Sequence, residues 1–475
     1  MMPLYHNFMF HIVRFYWCFC FGNVLFVSCP SFGCFAIITP MKRIIALTIA
    51  AGILYGFGLG TIVAVAMPYL ERTVSFSAAQ LSSLVAAAMI GSVVMTPLAG
   101  PLVEWVGRRR AIGGSALLFA LGAPVVCLSN GDYWMLFSGL LVQGLAMGVQ
   151  GLVVPLYLAE MLPKELRGKG TGLFQLCLIG GVLVSGFLGL LAAWCFGAAD
   201  AEAVPLAAKA SAWKTLFAAE AVPAILLFVG SFFIAESPYW KKGAPKADEG
   251  ASVSAERPKD SIWQRKYVVP FVLVVVLLAC NQGVGVTALL GYSVKIFQQA
   301  GLRGAFANGA DLVFKLVMFA STMLSCVWIE TKGRKPLLKL GTTGSMIGLL
   351  LAGASFFALD RGLVESSAVT GWIVALGMTV LVASFAIGPG VCCWLVTTEL
   401  LPGRIRAVGM GVALLFDYGI STGLQATFLP IAEKAGFAVL FGVLVCFAIA
   451  YFVAVTLFMP ETKGKSLEEI EEFFK

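Results

Sequence analysis

Apolar stretches of about 20 residues recur twelve times along this chain, at roughly 44 to 68, 80 to 103, 111 to 128, 133 to 159, 169 to 195, 213 to 234, 267 to 297, 306 to 329, 337 to 358, 370 to 398, 405 to 430 and 436 to 459. About 20 residues is the length a helix needs to cross the hydrocarbon core of a bilayer, and in lipid every backbone N–H and C=O must find its partner inside its own segment. The stretches are therefore read as transmembrane helices. With 59% hydrophobic residues, 12% charged and a mean hydropathy of +0.91, a soluble domain could not cover this apolar surface with polar groups. The expected fold is an all-α, multi-pass integral membrane protein embedded in a lipid bilayer.

Basic residues set the expected orientation. Arg108 to Arg110, Lys164 with Arg167 and Lys169, the 241 to 266 stretch, Lys332 to Lys339 and Arg404 with Arg406 fall on alternate connections, and the intervening links carry isolated ones such as Arg72, Arg303 and Lys434. Both ends of the twelve-helix body are thus expected in the cytoplasm. This sidedness accounts for the net charge of +8, and no basic face remains for nucleic acid.

Two motifs occur twice, in the same order. Gly100-Pro-Leu-Val-Glu104-Trp-Val-Gly107-Arg108-Arg109 in the first half answers to Glu330-Thr-Lys332-Gly333-Arg334-Lys335 in the second. Glu160, Pro163 and Arg167 repeat as Glu399, Pro402 and Arg406 with identical spacing. Such a duplication predicts two six-helix bundles, 41 to 236 and 267 to 460, joined by a polar linker at 237 to 266 that forms short cytoplasmic helices and followed by a cytoplasmic tail at 461 to 475. In the tail, Ser466-Leu-Glu-Glu-Ile-Glu-Glu reads as a capping box opening a short acidic helix.

Residues 1 to 40 do not fit this plan. They hold both histidines and four of the twelve cysteines, and they lack the basic start and small-residue cleavage site of a signal peptide. Met41-Lys42-Arg43 resembles a natural beginning, so the segment is read as a mis-assigned or non-essential extension; a thirteenth hydrophobic segment is the alternative. The eight cysteines of the body lack metal-type spacing and are read as small core residues. No metal or other cofactor is expected.

From about residue 44 onwards the chain resembles the major facilitator superfamily, in particular its sugar porter family of glucose facilitators and pentose or hexose proton symporters. The resemblance rests on an ordered set: Gly107-Arg108-Arg109; Tyr157-Leu-Ala-Glu160 running into Pro163-Lys-Glu-Leu-Arg167-Gly168; Glu236-Ser237-Pro238; Gly333-Arg334-Lys335; Glu399 with Arg406; and Pro460-Glu461-Thr462-Lys463-Gly464. Carboxylates at helix ends beside arginines on neighbouring loops can form ion pairs, and a cytoplasmic lock between the two bundles is expected from Glu104, Arg108, Arg109, Glu160, Arg167, Glu236, Glu330, Arg334, Lys335, Glu399, Arg406 and Glu461. A purely topological role for these charges is the competing reading. Glu104 and Trp105 stand where the family usually has Asp and Arg.

The resemblance also implies a monosaccharide substrate, bound near the membrane midplane between the repeats. It places Gln175, Asn281 and Gln282 on the family's sugar-binding positions and Trp394 on that of a stacking tryptophan; Thr287, where the family usually has Asn, Tyr292, and the intramembrane Asp417 with Tyr418 are the further candidates. An amide offers donor and acceptor together, which suits vicinal hydroxyls. Proton symporters of the family carry an Asp in helix one and an Arg in helix four, but Gly58 and Leu140 occupy those positions here. Facilitated diffusion is the favoured mode. Symport through another carboxylate, with Asp417 first and Glu220 or Asp311 with Lys315 behind it, is the alternative, and export of another small organic solute follows. Asp311 and Lys315, spaced i to i+4, are read as a pair on one helix face. No nucleophile or phosphate-loop motif supports an enzyme. A monomer in the cell membrane suffices for such a role.

Overall fold

Breaks within spans, and glycines between them, organise the molecule. The computed structural model describes residues 33–162, 164–197, 199, 204–240, 263–402, 405–463, 465 and 467–474. These are almost wholly helical, with no strand among them, and they include 12 helices long and apolar enough to cross a membrane. The first span is α1 (Gly33–Gly56), a π-helical turn (Phe57–Thr61) and α2 (Ile62–Thr73); α3 (Ala78–Val106), α4 (Arg108–Leu128), α5 (Tyr133–Met161) and α6 (Lys164–Phe196) are the second to fifth. The sixth is α7 (Leu206–Ala219) with α8 (Ala221–Ser231), and the seventh is α9 (Arg265–Gly283) with α10 (Val286–Gln299). Then come α11 (Ala305–Lys332), α12 (Arg334–Asp360), a tenth span broken into α13 (Ala368–Ile387) and α14 (Pro389–Leu400), α15 (Arg406–Ala435), and α16 (Phe437–Val453) with its π turn.

Helix α1 takes in residues 33 to 40, which the sequence reading had set apart from the first span. The expectations for residues 1 to 32 and for short helices at 241 to 262 lie outside the described residues. A short acidic helix, α17 (Leu467–Phe473), does follow the last span; its expected cap, Ser466, is not among the described residues. The eight cysteines described are free thiols.

Local chemistry explains where the spans stop and bend. Ser77 opens α3 with a reciprocal capping box to Gln80, and Asp132 opens α5 by accepting from Met135 N at 2.9 Å. Gly285, at φ 82°, makes the left-handed step between α9 and α10 that a side chain would strain. In the tenth span Pro389 cannot supply an N–H, and the Ile387 carbonyl at the break accepts from Ser325 Oγ at 2.7 Å.

The duplication is visible in the packing. Spans one and five, two and four, three and four, and three and six pack together; so do seven and eleven, eight and ten, nine and ten, and nine and twelve. Each pairing in the second set is the first displaced by six spans. The two bundles then meet along two symmetry-related seams, span two against eleven and span five against eight. Alternate turns place Gly107, Gly333, Glu236 and Glu461 on one side, the motif face, and the 74 to 77, 300 to 304 and 361 to 367 links on the opposite, far face.

Candidate functional site

On the motif face the duplicated charges fold into two matching clusters. Arg108 pairs with Glu160 at 3.1 Å, and Arg334 with Glu399 at 3.4 Å. Arg109 N donates to Glu236 Oε1 at 3.1 Å, while Arg334 N and Lys335 N donate to the two oxygens of Glu461 at 3.1 and 3.0 Å. The carboxylate at the end of each bundle thus caps the helix that opens at Gly107 or Gly333. Those two glycines have φ of 100° and 89°, and a Cβ on either would meet the capping carboxylate at 2.8 or 3.0 Å. Burial by itself would raise the Glu461 carboxyl, but the N–H groups of Lys463, Arg334, Lys335 and Thr462 outweigh it and hold this group below the usual glutamate value.

Every one of these contacts, made by the described side chains, closes inside one bundle, whereas the expected lock between bundles rests also on Arg167, Glu330 and Arg406. Glu160 and Arg108 both belong to the first bundle, Glu399 and Arg334 to the second, so the ion pairs hold neighbouring spans of one bundle together. Arg109 donates to the Ser231 and Phe232 carbonyls, and Lys335 to that of Met459, again within a bundle. Glu104 is exposed, and its backbone carbonyl accepts from Trp240 at 2.8 Å. The side chains of Arg167, Glu330 and Arg406 lie outside the described residues.

At mid-depth a second polar group assembles around the break in the seventh span. Gln282 Nε2 donates to Asp417 Oδ2 at 3.1 Å, and Thr287 Oγ donates to Gln282 Oε1 at 3.1 Å. A carboxylate only accepts, so Asp417 fixes which way the Gln282 amide points. Asp417 is fully buried and its Oδ1 has no partner, as is also true of Asn281 Oδ1. Gln175, Gln282, Thr287, Trp394 and Tyr418 are half-buried. Tyr418 lies against Tyr55 of the first span across the bundles, a neighbour that periodicity gives no reason to single out.

Tyr292 is engaged by the eleventh span of its own bundle. Its ring stacks on Phe428 at 4.4 Å and its hydroxyl donates to the Gln425 carbonyl at 2.8 Å, which makes it packing between spans seven and eleven. Gly58 faces the sulfur of Met147 and the ring of Phe119, which fill the space a longer side chain would need, and Leu140 is buried. Glu220 accepts from Gln143 at 2.7 Å inside the first bundle. Asp311 and Lys315 pair at 2.8 Å, as their spacing suggested.

Among the described residues, polar contacts between the bundles are found toward the far face. Lys295 of the seventh span pairs with Glu71 of the first at 2.9 Å, and Leu429 N donates to Ser82 Oγ at 3.1 Å. Glu71 and Lys295 stand 224 residues apart, so no local pattern could have paired them.

Residues 44–474 match the family model described as "Sugar (and other) transporter". The glucose transporter GlcP of Staphylococcus epidermidis is 27% identical, across 88% of this chain and 94% of its own length. The arabinose-proton symporter of Bacillus subtilis is 27% identical, across 91% and 96%. Among solved structures, a D-xylose-proton symporter superposes with a TM-score of 0.75 at 23% identity, covering 90% of this chain and all of that one.

Proposed function

The chain belongs to the sugar (and other) transporter family, and we propose that it carries a monosaccharide, a hexose or a pentose, across the cell membrane by alternating access. It is a membrane transporter of the major facilitator fold and not an enzyme. The observation that carries the sugar reading is the oriented amide of Gln282. Held by Asp417 on one side and Thr287 on the other, it keeps one N–H and one lone pair for a ligand, the complement of a sugar hydroxyl. Gln175 and Asn281 add amides, and Trp394 adds an aromatic face for the C–H side of a sugar ring. Relatives named as glucose, arabinose and xylose carriers favour the same substrate class.

Transport runs as facilitated diffusion on this reading. Packing against Gly58 by Met147 and Phe119, with Leu140 buried on the fourth span, leaves no titratable pair where proton symporters of the family keep theirs. One observation favours proton symport as the second reading: the Asp417 carboxylate is fully buried with one oxygen unpartnered. The motif face, with its arginines and lysines, is the cytoplasmic one. The ion pairs and caps on that face keep each bundle rigid while the two rock, and one copy of the chain contains the whole pathway.

Uptake of labelled glucose, galactose, xylose and a non-sugar control into proteoliposomes tests this function. Saturable uptake of one or more of the sugars and exclusion of the control are expected. A folded preparation that moves none of the sugars overturns the reading.

A further inference from the structure

Span eight carries a charged pair that the sugar site does not use. Asp311 and Lys315 both have side chains with 0% exposure, and their charges meet at 2.8 Å. Each also reaches another helix. Ser293 Oγ of α10 donates to Asp311 Oδ1 at 2.5 Å, and Lys315 Nζ donates to Ser185 Oγ of α6 at 3.3 Å. Ser185 belongs to the other bundle, so this last bond crosses the seam between spans five and eight. The seam is close because residue 186 is glycine: a Cβ there would meet Lys315 Cδ at 2.9 Å and Asp311 Oδ2 at 3.4 Å.

Burying two charges in a membrane interior is costly, and removing one partner leaves the other uncompensated. A pair on one helix could be accommodated facing its own bundle. This one is placed where the bundles touch, on the far-face half of the seam, and is tied to α10, the half-helix that begins beside Thr287 and Gln282.

We propose that Asp311 and Lys315 are positioning residues of the transport cycle, a charge-balanced latch: the far face closes over them when neither charge is left alone, and the grip of Ser185 and Ser293 on the pair favours the closed state. The proposal rests on the alternating-access reading above. Opening the far face separates span five from span eight, breaks the Lys315 to Ser185 bond and lets water reach both charges. Closing it dehydrates them again, which is tolerable for a neutral pair and not for a lone ion. Through Ser293 the same pair is joined to the half-helix bearing Thr287, so movement at the sugar site is passed to the seam. Both side chains have 0% exposure in the state described here, and the role assigned to them is to balance each other's charge as the seam closes.

The test is thiol labelling in nanodiscs at Ser82→Cys, a fully buried far-face position on the other seam, scored as the increment over the same protein without the added cysteine. Asp311→Asn and Lys315→Met are each expected to raise the labelling rate about tenfold or more, because a lone buried charge opposes closure. The double variant Asp311→Leu with Lys315→Met is expected to return to the parent rate, and Ser185→Ala, which leaves the pair intact, to rise by a smaller factor. Unchanged labelling in the single variants, or a double variant as open as the singles, overturns the latch. Should the singles fail to fold, Ser185→Ala decides, since labelling unchanged there removes the bond across the seam from the mechanism. Sugar uptake by the unsubstituted protein separates the two claims: the expected labelling pattern without sugar uptake defeats the substrate reading and leaves the latch standing.

Discussion

Gln282 Nε2 lies 3.1 Å from Asp417 Oδ2, a bond that joins the break in the seventh span to the middle of the eleventh. It gives Asp417 a task that needs no proton. The carboxylate orients an amide, and on the proposed function that amide is the group that meets the sugar. Asp417→Asn replaces an acceptor-only partner with one that can present either end, so the Gln282 orientation is lost. The expected result is a KM for the transported sugar raised about tenfold, from about 1.5 kcal/mol for a hydrogen bond to a charged group, with kcat changed less. Initial-rate uptake in proteoliposomes measures it.

Under facilitated diffusion an imposed inward proton gradient does not concentrate the sugar. Inside and outside levels are expected to become equal with or without the gradient, in the parent protein and in Asp417→Asn alike. Accumulation in the parent protein that disappears in Asp417→Asn would establish symport and make Asp417 the proton carrier.

Glu461 is held below its ordinary pKa by backbone N–H groups that it caps, so its contribution to stability has a definite sign. A carboxyl depressed in the folded state stabilises fully above its unfolded value and loses that contribution as pH falls through the folded one. Thermal stability in detergent is expected to fall as pH drops below about 4.3, and Glu461→Gln to remove part of that acid dependence while lowering stability at neutral pH. The loss at neutral pH is about 1 kcal/mol, modest because the carboxyl is only part-buried.

Gly107→Ala and Gly333→Ala test the two clusters from the backbone side. Both positions combine a positive φ with a carboxylate where the new methyl would go. Each substitution is expected to destabilise its own bundle by about 1–3 kcal/mol, read as a lower melting temperature or a lower yield of folded protein. Gly100→Ala, with open space at its Cβ, is the control and is expected to stay near the parent.

Much of this architecture was written locally and could be read locally. Span length and composition carry the membrane fold, and the repeated Glu, Pro and Arg spacing carries the duplication, because both depend on residues close in sequence. What the Glu–Arg motifs do was harder to read. Spacing shows that Glu160 and Arg108 can meet an opposite charge, but which partner each takes depends on packing, and among the described side chains the two take each other. Asp311 with Lys315 is the clearest case. Four-residue spacing revealed the pair, whereas Ser185, 130 residues away, gave it a second bundle to touch. Tyr292 shows the opposite limit: its place ten residues past the Gln282 amide says nothing of Phe428 or the Gln425 carbonyl, which hold its ring and its hydroxyl in the structure.

The most direct measurement is uptake of labelled glucose and xylose into proteoliposomes by the parent protein beside Gln282→Ala. A monosaccharide carrier built on this amide predicts saturable uptake that levels off at equal concentrations, and a KM at least about tenfold higher in the variant. No saturable uptake of any monosaccharide by the folded parent protein, or identical kinetics in Gln282→Ala, would contradict it.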